Sequence, residues 1–239
     1  MKYLILAVLL SMMVPGTVAQ ELTDTQINKA DANGKKQGVW KVYDDEGNLK
    51  YTGAYVNGKP TGIFTFYYPQ GQVNAVVNQL DSGTISYAKN YHQNGNLMAS
   101  GKYVNQKKDS SWLYYDEEEG KLSLEEHYIN TVKEGASKTY YPDGQVAEEI
   151  IYQNGLKEGP WIQYFTDGKI KMKTDYINDQ IEGPYVIYHL DGSVEVSGHF
   201  VNSNKNGTWV FFNDEGVVEK QEEYENGKMV KQELFEEGK

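Results

Sequence analysis

The chain has no cysteine and no arginine. Without cysteine there are no disulfides, no thiolate metal sites and no residue to carry an N-terminal lipid. All 23 basic residues are lysine, set against 34 acidic residues for a formal net charge of -11. A nucleic-acid binder needs a basic footprint, and an anionic lipid surface asks for the same. Both are disfavoured, and the acidic surface serves solubility instead. Long apolar runs are missing beyond the first nineteen residues, and no later segment keeps helical periodicity. Phosphate-cradling motifs are missing too: there is neither Gly-Lys-Ser/Thr nor G-x-G-x-x-G.

Residues 1–19 read as a signal peptide. Lys2 supplies the positive start, and Tyr3 to Val14 is apolar apart from Ser11. That run is too short to span a bilayer comfortably. Pro15-Gly16 breaks it, and Thr17-Val18-Ala19 offers small residues before a cut at Gln20. The alternative is an uncleaved membrane anchor. With cleavage, the chain is expected to be exported, periplasmic or extracellular, with no strong membrane binding.

What the sequence does have is self-similarity. A glycine ladder runs Gly47, Gly71, Gly95, Gly120, Gly144, Gly168, Gly192, Gly216, every step 24 residues except one of 25. The extra residue falls in the acidic turn Asp116-Glu117-Glu118-Glu119-Gly120, where an insertion is cheap. Two residues after each ladder glycine stands an aliphatic: Leu49, Val73, Leu97, Leu122, Val146, Ile170, Val194, Val218. Eight after it come Tyr55, Gln79, Tyr103, Tyr128, Tyr152, Tyr176, Phe200 and Tyr224. Ten after it come Asn57, Asp81, Asn105, Asn130, Asn154, Asn178, Asn202 and Asn226. A second glycine precedes the ladder at Gly38, Gly62, Gly135, Gly159, Gly183 and Gly207, with Ser86 and Ser110 in the third and fourth copies. Two residues beyond it are Trp40, Phe64, Trp112, Trp161, Tyr185 and Trp209; five beyond it are Tyr43, Tyr67, Tyr91, Tyr115, Tyr140, Tyr164, Tyr188 and Phe212.

Each unit therefore predicts two strands and two turns. The first turn rests on Asp/Asn and Gly, as in Pro142-Asp143-Gly144. The second is Asn-Gly at 57–58, 154–155 and 226–227, a hairpin signal. One hairpin is not stable alone in water, but stacked hairpins bury one another's faces. The expected fold is all-β: an elongated open antiparallel meander of about eight tandem 24-residue hairpins over residues 38–227. Sixteen strands would make a sheet about 75 Å long. Residues 20–37 form a polar N-terminal cap and 228–239 a charged C-terminal cap that discourages edge pairing. Tyrosine, present 20 times, suits such a sheet because its ring packs while its hydroxyl stays wet.

The unit G-x-W-x-x-Y-x-x-x-G-x-L followed by Y-x-N-G resembles the bacterial MORN-repeat variant. Gly159-Pro160-Trp161-Ile162-Gln163-Tyr164 with Gly168, Ile170, Tyr176 and Asn178 is a clean copy. The resemblance covers about residues 33–230 and implies an elongated hairpin sheet serving as an interaction scaffold, with lipid association in some members. Relatives carry an antitoxin label. The third copy departs from the pattern: Ala88 replaces Trp, Ser86 replaces Gly, and Gln79 replaces Tyr. Choline-binding cell-wall repeats also carry W-x-x-Y and spaced Gly, but with a period nearer twenty.

No catalytic, cofactor or metal site emerges, and an enzyme is not expected. His92 and His189 share a column four units apart, about 38 Å along the sheet, and His127 and His199 share another, three units apart. Acidic turns such as Asp44-Asp45-Glu46-Gly47 lack the ligand pattern of an EF-hand and follow turn chemistry. Asn206-Gly207-Thr208 fits a glycosylation sequon that the repeat itself explains. The expected function is an exported, non-catalytic scaffold for protein–protein interaction in the cell envelope. The alternatives are a carbohydrate or cell-wall binder, and an antitoxin or immunity-like protein that occludes an effector. A glycan binder would leave one face's aromatics in an exposed row. Residues 74–131, where the repeat is least regular, are a candidate binding segment.

Overall fold

The computed structural model describes residues 27–235. The signal peptide expected at 1–19 lies outside the described residues. Nineteen strands form one open sheet: β1 (Lys29–Ala30), β2 (Lys36–Tyr43), β3 (Leu49–Val56), β4 (Lys59–Tyr67), β5 (Val73–Leu80), β6 (Ile85–Tyr91), β7 (Leu97–Val104), β8 (Lys107–Tyr115), β9 (Leu122–Ile129), β10 (Val132–Lys133), β11 (Gly135–Tyr140), β12 (Val146–Gln153), β13 (Leu156–Tyr164), β14 (Ile170–Ile177), β15 (Gln180–Tyr188), β16 (Val194–Val201), β17 (Asn204–Phe212), β18 (Val218–Glu225) and β19 (Lys228–Leu234). Each pairs antiparallel with its neighbours in sequence; β10 and β11 are two pieces of one strand, both paired to β9. The sixteen expected strands are β2 to β18 with that pair counted once. The additions are the short β1 and the terminal β19. Strand β2 begins at Lys36, within the expected polar cap. Among the described residues there is no α-helix, only a 3-10 turn at Asp81–Gly83.

The two turn types follow from the two residue columns that mark them. In the first, Gly47 takes φ 87° and its N–H donates to the Asp44 carbonyl. The Asp44 carboxylate accepts the N–H of Glu46 and Asn48 at 3.0 and 2.8 Å. In the second, both central residues lie in the left-handed region: Asn57 at φ 51° and Gly58 at 79°. That is the primed geometry whose twist matches the strands, and asparagine tolerates it better than other side chains. Where glycine is missing from the second place, Gln106, Thr131, Asp179 and Ser203 adopt positive φ themselves.

The second glycine column makes bulges. The register of β3 on β4 shifts between Thr52 and Ala54, opposite Gly62 at φ 67°. A bulge bends its strand and adds twist. The third copy solves the same geometry another way. Ser86 carries no positive φ, β5 and β6 pair without a shift, and the turn lengthens to Asp81–Thr84. The two residues absorbed by a bulge elsewhere are moved into the loop, so the period of 24 survives.

One side of the sheet holds the core. A file of side chains crosses the strands: Trp40 pairs with Gly53, Phe64 with Val77, Ala88 with Gly101, and Gly101 in turn with Trp112. Added Cβ atoms at Gly53, Gly101 and Gly198 would lie under 3.0 Å from the rings of Phe64, Trp112 and Trp209. Each ring therefore lies flat over a glycine of the preceding strand. In the third copy the sizes are exchanged, with Val77 opposite Ala88. Trp112 and Trp209 are 1% and 2% exposed.

Candidate functional site on the open face

Two of the three aromatic columns, the one through Trp40, Phe64, Trp112 and Trp209 and the one through Tyr55, Tyr103 and Phe200, are packed against each other. Tyr103 and Trp112 meet edge to face at 4.8 Å, Tyr55 and Phe64 at 5.3 Å, and Phe200 and Trp209 at 5.1 Å. Such contacts fix ring orientation and leave these two columns without free rings for a sugar to stack on, whereas Tyr43, at the start of the third column, is half exposed.

A lysine column completes this face, and it escapes sequence reading because lysine is scattered through every unit. Lys36, Lys108, Lys133, Lys157 and Lys205 fall at one repeat position, and each ammonium lies over aromatic rings. Lys36 is 4.4 Å from the Trp40 centroid, Lys108 is 4.6 Å from Trp112, and Lys205 is 4.1 Å from Trp209. The rings' negative faces hold these cations in place. A carboxylate column beside it is equally structural. Glu134, Glu158 and Glu182 accept the turn N–H of Asn154, Asn178 and Asn202 at 2.7 to 2.9 Å.

Two carboxylates enter the core file itself. Glu126 is buried; it is ion-paired with Lys133 and accepts the Tyr128 hydroxyl at 2.5 Å. Burial pushes its carboxyl up, but the Lys133 ammonium and the Tyr128 hydroxyl outweigh this and hold it below the usual glutamate value. Burial and the Glu126 carboxylate together push the Tyr128 phenol up. Glu222 sits on β18, next to the C-terminal edge strand, where the Lys220 ammonium, chiefly, lowers it.

The histidines stay apart. His92 Nδ1 lies 3.8 Å from Glu117, and His189 Nδ1 lies 3.3 Å from Asp214, each across one turn. His127 Nδ1 meets the Ser111 hydroxyl at 3.2 Å. Among the described residues no three carboxylates, imidazoles or thiols converge as metal ligands. The acidic turns spend their oxygens on their own backbone, as Asp116 does on Glu119 and Lys121.

The opposite face is different. Its largest concavity, about 740 Å³, lies over β4 to β8, inside the irregular stretch. Cross-strand pairs build it: Asn78 beside Tyr87, Val76 beside Lys89, Tyr87 beside Lys102, Lys89 beside Ser100, and Ser100 beside Leu113. Ile63 at 64% and Tyr87 at 52% exposure stand open to solvent. Residues 74–131 thus supply most of this lining, with Ile63 added from β4. Ala88, standing where other units carry a large ring, lies beneath it.

Four units match the MORN repeat variant model, at residues 36–57, 133–154, 157–178 and 205–226. The units between 58 and 132, which hold the groove, are not among them. No curated protein matches the chain. Among solved structures, the crystal structure of TcdB2-TccC3-Cdc42 aligns over 82% of this chain and 17% of its own chain, at 11% identity and a TM-score of 0.18.

Proposed function

We propose that this protein of MORN-variant repeats is an exported, non-catalytic scaffold that binds a protein partner in the cell envelope through the open face of its sheet. Repeats of this family suggest a scaffold for protein or membrane interaction. The observation that favours a protein partner is the division between the two faces. The aromatic face is satisfied internally, ring on glycine and ammonium on ring. The open face keeps an unfilled groove with exposed Ile63 and Tyr87. An acidic chain whose lysines are partly tied to its own rings is also poorly suited to anionic lipid. The packed rings count against carbohydrate stacking along the two columns of the core face.

The test is affinity capture of the tagged full chain from its own cells after light crosslinking, with the glycan fraction assayed beside the protein fraction. A stoichiometric protein partner is the expected result. A single partner held tightly would place the chain with immunity-like proteins that occlude an effector. Polysaccharide without protein would overturn the reading in favour of a cell-wall binder.

A further inference from the structure

Resting on that scaffold reading, we propose that the groove over β4 to β8 receives an extended acidic peptide segment, with an apolar side chain among its carboxylates. The first argument is charge. The chain carries 34 acidic residues, yet no aspartate or glutamate lines the groove, and Lys89 and Lys102 do. Lys89 is exposed and makes no ion pair with any described residue. Lys102 is held 3.6 Å from Asp109 at the rim. The repeat positions of Val76 and Ser100 are filled in the next two units by Glu125 and Glu149. The same column is neutral or basic again at Thr52, Lys173, Ser197 and Gln221, so this charge contrast sets the groove apart from the two units that follow it.

The second argument is shape and lining. Ile63, Val76 and Leu113 give an apolar floor, while Asn78, Ser100 and Ser111 offer hydrogen bonds to a peptide backbone. Tyr87 projects a half-exposed ring beside Lys102. Five strands span about 19 Å, the reach of about six extended residues. The third argument is the repeat itself. The unit that gives up its bulge at Ser86 and its large ring at Ala88 underlies this groove. Without the bulge's added twist β5 and β6 run in unbroken register along the middle of the groove, and the bulge at Ser110 stands at its β8 side.

The probe is a fluorescent peptide of about ten residues alternating glutamate with leucine and phenylalanine, set against its lysine counterpart. Fluorescence anisotropy on the full chain should show saturable binding of the acidic peptide alone. Lys89→Glu should weaken it about tenfold, and Tyr87→Ala by a similar factor. Lys50→Glu, the same charge change at an exposed site outside the groove, should leave it unaltered. Both groove residues are exposed, so circular dichroism should show the folded chain throughout. No binding, equal binding of the lysine peptide, or equal loss with Lys50→Glu would overturn the proposal. So would binding of anionic vesicles or a polyuronate that Lys89→Glu abolishes, since the groove would then belong to lipid or glycan. The scaffold reading fails separately, if no protein is captured. This inference alone fails if a captured partner is retained by the Lys89→Glu chain.

Discussion

Exchanging the sizes of one ring-over-glycine pair tests whether the core file works by volume complementarity. The perturbation is Gly101→Val with Trp112→Ala, which copies the Val77 and Ala88 pair already present in the third unit. Trp112→Ala alone empties a site that is 1% exposed and should cost about 3–5 kcal/mol. Gly101→Val alone puts carbon under 3.0 Å from a ring with no free space around it. Overpacking of that kind costs about 1–3 kcal/mol, partly offset by the better strand propensity of valine. Together, the valine methyls enter the space the indole leaves. The double variant should then be about 2 kcal/mol more stable than the sum of the single losses predicts. Urea unfolding followed by far-UV circular dichroism, with amide exchange read over β7 to β9, gives the four corners of the cycle. Additivity within about 0.5 kcal/mol would refute the complementarity argument.

Other expectations follow from single residues. Ser110 holds φ 60° at a bulge where six other units use glycine, so Ser110→Gly should stabilise the chain by about 1 kcal/mol in the same urea assay. The Trp112 Nε1–H donates to the Lys102 carbonyl at 3.1 Å, whereas Trp209 Nε1 is buried without a partner. Trp209→Phe should therefore be milder than Trp112→Phe by about 1 kcal/mol, and equal losses would contradict this. Glu126 is held below its ordinary 4.5, so its contribution is full above that pH and is lost as pH falls through the lowered folded value. Stability measured from pH 6 downward should fall more gently in Glu126→Gln than in the parent chain.

The architecture was legible because turn chemistry is local. Glycine and asparagine take positive φ at least cost, and Gly47, Asn57 and most of their equivalents mark the turns even where Gln106, Thr131, Asp179 or Ser203 fills the second place. The strand count differed from sixteen only at β1, at β19 and where β10 and β11 divide, points governed by pairing partners rather than by the column pattern. The meaning of Gly62 and Gly159 as bulge residues was not legible, since a bulge is a relation between two strands. The same holds for the departure at Ser86: the substitution is visible, but its transfer of two residues into the turn requires the register. The lysine column was hidden by composition, because Lys36 and Lys108 are distinguished from other lysines only by the rings beneath them. The irregular segment was visible as a break in pattern. Its groove was not, because the open face has no repeating signature and its lining comes from five strands.

The meander has a mechanical consequence. Because every strand bonds only to its neighbours in sequence, the first and last strands stand at opposite ends of the sheet. A pull on those ends loads the ladder from its edge, so that bonds open a pair at a time rather than in shear. Each unit of 24 residues would release about 80 Å of chain from about 10 Å of sheet. Stretched between two attachments, the protein would lengthen in even, low-force increments and rewind the same way, a compliant tether whose step size is set by the glycine ladder.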